Sequence, residues 1–139
     1  MSKSGVTYLN PPSAPPPAGM YSHVARMAPG EMAFIAGQVS VDGKGNVVGA
    51  GDLAAQVDQV FANLGGILKD LGTDFESVVQ FTTYLTKAEN IPVWMSARSA
   101  VFPKLFPSGK YPPNTLLVID RLVKPEFLLE IEAIARVPG

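Results

Sequence analysis

Residues 127–137 read Phe127-Leu128-Leu129-Glu130-Ile131-Glu132-Ala133-Ile134-Ala135-Arg136-Val137, a strand with two unlike faces. Side chains in a strand alternate sides. One row is therefore Leu129, Ile131, Ala133, Ala135 and Val137, uniformly apolar and small enough to accept a helix. The other is Leu128, Glu130, Glu132, Ile134 and Arg136. The stretch before it, residues 114–123, divides into Asn114, Leu116, Val118, Asp120, Leu122 and Thr115, Leu117, Ile119, Arg121, with apolar residues in both rows. A sheet wetted on one face alternates more cleanly than this. Both faces are thus expected to meet protein, helices on one side and further copies of the chain on the other. Glu130 and Glu132 would be costly to bury there unpaired, so they need cations or amide donors, from their own chain or a neighbouring subunit.

Working outward, residues 20–27 and 32–41 read as strands with a turn at Pro29-Gly30 between them. Asp42-Gly43 turns into a short strand-like piece, residues 46–48. Asp52 is placed to cap a helix, because its side chain accepts from first-turn amides. Leu53, Val57, Val60, Phe61, Leu64, Ile67, Leu68 and Leu71 follow at helical spacing, and Gly72 closes the helix. Gly65-Gly66 inside it costs about 1 kcal/mol per glycine; close helix–sheet packing would explain the pair. Residues 77–85 form a strand. A second helix carries Ile91, Trp94, Arg98, Val101, Phe102 and Leu105 along one side, with Pro92 in its first turn. A loop, residues 106–113, leads to the last two strands, joined at Lys124-Pro125-Glu126. The predicted order is β-β-(β)-α-β-α-β-β: an α+β fold whose two helices cover one face of the sheet. Residues 1–139 form one domain on this reading, with residues 1–19 an extended proline-rich arm. Pro11-Pro12-Ser13-Ala14-Pro15-Pro16-Pro17 fits either a stiff surface loop or a polyproline ligand.

Composition narrows the chemistry. The chain is 47% hydrophobic and 17% charged with a net charge of −1, so it is globular and carries no field to gather nucleic acid or an anionic membrane. Without cysteine, thiolate metal sites, disulfides and cysteine nucleophiles are excluded; with His23 alone, so is a His–His metal site within one chain. The N-terminus runs into prolines rather than an apolar signal, and no apolar run approaches membrane-spanning length. A cytoplasmic protein is expected.

Leu129-Glu130-Ile131-Glu132-Ala133-Ile134-Ala135 resembles the C-terminal signature of the RidA/YjgF family. Phe34-Ile35-Ala36-Gly37-Gln38-Val39 is similar to that family's strand ending in Ser-Gly-Gln, and the order of elements matches over roughly residues 7–137. The resemblance implies a chorismate-mutase-like mixed sheet and a homotrimer with three small-molecule clefts between subunits. It further implies hydrolysis of enamines and imines to a 2-oxo acid and ammonia, without metal or organic cofactor. In that family an arginine after a Pro-Ala pair clamps the substrate carboxylate, a glutamate opening the C-terminal motif holds the attacking water, and a tyrosine near the N-terminus lines the cleft.

Position by position, Glu130 matches the glutamate and therefore the catalytic role. Tyr21 matches the tyrosine, Gly37 and Gln38 the Gly-Gln step, and Thr115 the Ser or Thr after the arginine. Three departures accompany them. Asn114 occupies the arginine position, Ala36 replaces the serine, and Ser99 stands where an asparagine on the second helix is common. An arginine offers a planar fork of donors to a carboxylate, and an asparagine one neutral amide. Hydrogen bonds to charged groups contribute about 1.5–3 kcal/mol each, so losing the clamp weakens anion binding by powers of ten. The standard 2-imino acid reaction is therefore expected to be impaired.

Other cations are Lys110 in a loop, Arg121 on the opposite strand face from Asn114, and Arg98, read as a helix-side partner for an acid. Glu130 and Tyr21 also fit purely structural interface roles. Glu132 reads as a structural partner, His23 as a structural or surface histidine, and Trp94 as helix packing. Two functions stand: a divergent imine or enamine hydrolase, and a non-catalytic metabolite-binding or regulatory trimer. Ribonuclease activity ranks last, since no basic stripe or paired histidines support it.

Overall fold

The computed structural model describes residues 4–138. Its elements are β1 (Val6–Leu9), β2 (Val24–Met27), β3 (Glu31–Gln38), α1 (Leu53–Asp70), β4 (Val78–Leu85), α2 (Ile91–Leu105), β5 (Asn114–Val118) and β6 (Leu129–Val137). The last strand lies inside the sheet, whose order is β3-β6-β4-β5. β6 pairs antiparallel with both neighbours, whereas β4 and β5 run parallel. Parallel neighbours need a long crossover, and α2 supplies it.

Both rows of β6 do what their residues dictate. Leu129, Ile131, Ala133 and Ala135 are buried against α1, which contributes Leu53, Val57, Val60, Phe61, Leu64 and Leu68. α2 adds Trp94 and Phe102 to an aromatic cluster with Phe61, Phe75, Phe81 and Phe106; Trp94 stacks on Phe61 at 6.2 Å. Both helices pack on this face of a mixed sheet, the α+β arrangement expected from the sequence. The opposite face carries Met32 and Phe34 from β3, Glu130, Glu132 and Ile134 from β6, and Gln80, Thr82 and Tyr84 from β4. Phe34 is 73% exposed and Met32 48%. No helix among the described residues is long and apolar enough to cross a membrane.

The helix ends follow their caps. Asp52 accepts from the Ala55 amide at 3.1 Å, and Gly72 closes α1 at φ 78°, where a side chain would be strained. Gln56, fully buried on α1, ties the helix to two loops. Its amide donates to the carbonyls of Gly49 and Glu126, and its oxygen accepts from the Leu128 amide. Removing that side chain strands a buried N–H and two carbonyls. Gln56→Ala is expected to lower unfolding free energy by about 2–3 kcal/mol, read from urea denaturation.

Several expectations change. The segment assigned to an extended arm, residues 1–19, contains β1, which pairs with β2; residues 1–3 lie outside the described residues. Val6 and Tyr8 are buried, and the Tyr8 hydroxyl donates to the Val78 carbonyl at 2.6 Å. Residues 20–23 are not strand, because the His23 amide is given to Asn10 Oδ1 and the Tyr21 amide to the Gly19 carbonyl. β3 stops at Gln38, after a register shift between Ile35 and Gln38. β5 is five residues long because its partner β4 ends at Leu85, paired with Val118. The piece at residues 46–48 reduces to one bridge, Val41 with Val47. The Gly65-Gly66 pair is not explained by helix–sheet packing. A Cβ at Gly65 would stand 3.2 Å from the Phe75 ring, and nothing in the structure explains Gly66.

Candidate functional site

Glu130 sits on the helix-free face, opposite Tyr84 of β4. Across β3, Gly37 leaves the space that its carboxylate fills: a Cβ there would run into Glu130 Oε2. The register shift at Ala36-Gly37 brings that backbone alongside. Burial, and then the neighbouring Glu132 charge, push the Glu130 carboxyl above the ordinary glutamate range. Glu132 is satisfied within the chain, accepting from the Tyr84 hydroxyl at 2.7 Å. That bond raises the Tyr84 pKa. Beside them lies a cavity of about 420 Å³ lined by Phe34, Ala36, Gln80, Thr82, Glu132 and Ile134. Gly37→Ala is expected to displace the carboxylate and cut any Glu130-dependent activity at least about tenfold, one misplaced hydrogen bond's worth, with the circular dichroism spectrum unchanged.

A second group gathers at the other end, beside α2. Tyr21, His23, Met95, Arg98, Asn114 and Thr115 line a cavity of about 360 Å³. Asn114 pairs in register with the buried Phe81, and its Oδ1 accepts from the Thr83 hydroxyl at 2.7 Å on the helix-covered side. Its amide nitrogen has no partner among the described residues. The loop expected as a stiff proline-rich surface segment forms part of the rim through Ala18 and Gly19. The Tyr21 hydroxyl accepts from the Ala18 amide at 3.3 Å, and the His23 ring is 2.6 Å from the Pro15 carbonyl. Tyr21 and His23 meet edge to face at 5.6 Å.

The site residues read from the sequence therefore divide. Glu130, Gly37 and Ala36 share the helix-free face, while Tyr21, Asn114 and Thr115 share the α2 pocket. Ser99 joins neither: it is exposed, with its hydroxyl on the Met95 carbonyl. Among the cations, Lys110 is exposed in its loop. Arg121 lies beyond the end of β5, so the parity argument does not apply; its guanidinium folds back on the Leu122 and Val123 carbonyls. Arg98 is the larger correction. It was expected as a surface or semi-buried partner for an acid, but it is 4% exposed and its neighbours are the Trp94 and Phe102 rings. Its spacing, four residues after Trp94, had already put it on the apolar side of α2; what the sequence did not show is that aromatic rings rather than an acid surround it.

The family model described as Endoribonuclease L-PSP matches residues 11–137. A RutC family protein of Pyrococcus horikoshii is 33% identical over 123 residues, covering 88% of this chain and 91% of that one. A RutC family protein of Synechocystis is 30% identical over 126 residues, covering 90% and 92%. Among solved structures, YyfB of the conserved Rid protein family from Yersinia pestis superposes with a TM-score of 0.84 at 31% identity, covering 96% of this chain and 99% of the other. A Mycobacterium tuberculosis member of the YjgF/YER057c/UK114 family gives 0.59 at 26% identity, over 95% and 99%.

Proposed function

The chain belongs to the endoribonuclease L-PSP family, the RidA/YjgF family, and from that premise we propose that it is a one-domain, cytoplasmic, cofactor-free hydrolase of a small enamine or imine, acting in clefts between the subunits of a homotrimer. The observation that carries this is Glu130: a carboxyl held above its ordinary range, fitted against a glycine on a face that no helix covers. A glutamate so placed takes a proton from water and gives it back later in the cycle. Water adds through oxygen to the carbon of the C=N bond, Glu130 receives its proton, and the nitrogen leaves as ammonia after protonation. A carbonyl compound remains. Electrons balance without a redox partner.

Within one protomer Glu130 lies on one face while Tyr21 and Asn114 lie in the pocket by α2. A ring of three copies closes a cleft by setting one subunit's open face against the next subunit's edge, the heterologous contact that threefold symmetry requires. Tyr21 and Asn114 then contact the substrate that Glu130 supplies with water. The test is ammonia release by purified protein across a panel of imino acids and neutral imines, run beside sedimentation velocity. Turnover by a trimer supports the reading; a monomer without turnover removes it.

A metabolite-binding or regulatory trimer is the second reading, favoured by Asn114 standing where the family's layout puts an arginine. Calorimetry separates the two, since a ligand bound and recovered unconsumed supports the second.

A further inference from the structure

Arg98 is a buried charge with a poor partner. It is 4% exposed, and its Nε has no hydrogen-bond partner among the described residues. Its side-chain bond runs from Nη2 to the Met95 sulfur at 3.0 Å. A guanidinium carries five donors, and a thioether is a weak acceptor. The Trp94 and Phe102 rings, 5.8 and 5.9 Å from Cζ, offset part of the cost of burying the charge. The rest stands, because buried charges require pairing. The rim loop closes over the same nitrogen: a Cβ at Gly19 would stand 2.9 Å from Nη2.

Met95 is the open half of this contact. It lies one turn before Arg98 on α2 and is 39% exposed, lining the cavity of about 360 Å³ beside Tyr21 and Asn114. Small solutes can therefore reach this residue, whereas the guanidinium behind it is closed off. The chain has no cysteine, so its methionines carry the only sulfur an oxidant can meet.

We propose that Met95 is an oxidation site that takes one oxygen atom from a hydroperoxide, and that Arg98 is the seat of the resulting sulfoxide. The sulfur lone pair not engaged by Nη2 attacks a peroxide oxygen. An S–O bond forms and the O–O bond breaks; with hydrogen peroxide, the departing hydroxide takes the proton of the transferred hydroxyl and leaves as water. Sulfur gives up an electron pair and the peroxide gains it, so no further redox partner enters. Methionine oxidation ordinarily disrupts packing by making an apolar side chain polar. Here the added oxygen is a better acceptor beside an underused guanidinium, and the flexible side chain can turn it onto Nη2. Oxidation at this position therefore stabilises the protomer and leaves a fixed polar group in the pocket. None of this requires hydrolysis.

The experiment treats the purified protein with hydrogen peroxide, locates sulfoxides by peptide mass spectrometry, and measures Tm before and after. Met95 is expected to gain an oxygen. The change in Tm on oxidation is expected to be more positive in the wild type than in Met95→Leu, by about 3 °C or more, the worth of one hydrogen bond to a charged group. In Arg98→Met that difference should vanish. Should Arg98→Met fail to fold, arginine Nε–H resonances serve instead: one buried resonance should shift on oxidation of the wild type and stay in place in peroxide-treated Met95→Leu. Met95 left unoxidised, a Tm change equal to that of Met95→Leu, a gain surviving in Arg98→Met, or an unmoved resonance would each overturn the assignment.

Discussion

Glu130→Gln is expected to lower imine turnover by about two to four powers of ten, the usual worth of a positioned acid–base group. The substitution keeps shape and hydrogen-bonding capacity but cannot exchange a proton. The wild-type rate should rise with pH through the elevated Glu130 pKa, because only the carboxylate accepts water's proton, and that acid limb should vanish in the variant. Stability should move the other way. Folded Glu130 binds its proton more tightly than it does in the unfolded chain, because burial and Glu132 disfavour its charge. The folded state therefore has an advantage below the ordinary glutamate range, lost as pH rises through the raised value. Glutamine never ionises, so the variant should melt higher than wild type above that window and equal to it below. Lower activity with higher Tm is the signature of a strained functional group. Full activity in Glu130→Gln would end the catalytic assignment.

The fold was legible because its decisive signals are local. The apolar row of β6, the helical spacing from Leu53 to Leu68 and the caps Asp52 and Gly72 each dictate geometry within a few residues. β1 was not legible: Val6-Thr7-Tyr8-Leu9 is short, and its burial comes from pairing with β2 and from the Tyr8–Val78 bond seventy residues away. The candidate site was legible in identity more than in arrangement. Glu130 and Gly37 meet because a register shift brings them together, and no alternation pattern encodes that shift. Asn114 proved to face the helix side, which its registration against Phe81 decides and its own sequence does not. Arg98 was visible on the apolar stripe of α2 and was given an acid for a partner, following the usual behaviour of arginines. Its surroundings hold aromatic rings instead.

Phe34→Asp is expected to convert the proposed trimer to monomers. Phe34 is 73% exposed on the helix-free face, on the edge strand β3, flanked by Met32 on its strand and by Ile134 across the ladder. Burying a phenylalanine contributes about 1.5–3 kcal/mol, and a threefold ring counts each contact three times, so roughly 5–9 kcal/mol of assembly energy rests on this side chain. The aspartate also sets a new carboxylate in the cavity that Glu132 already lines, and like charges brought out of water together raise the cost further. The fold should be spared, because the side chain stands outside the core cluster beneath α1 and α2. Sedimentation velocity should thus report a monomer whose far-ultraviolet dichroism matches wild type. Turnover should disappear with the trimer, because a lone protomer keeps Glu130 and the Tyr21–Asn114 pocket on separate surfaces. A Phe34→Asp protein that stays trimeric would place the subunit contact elsewhere, and the cleft facing Glu130 would lose its second wall.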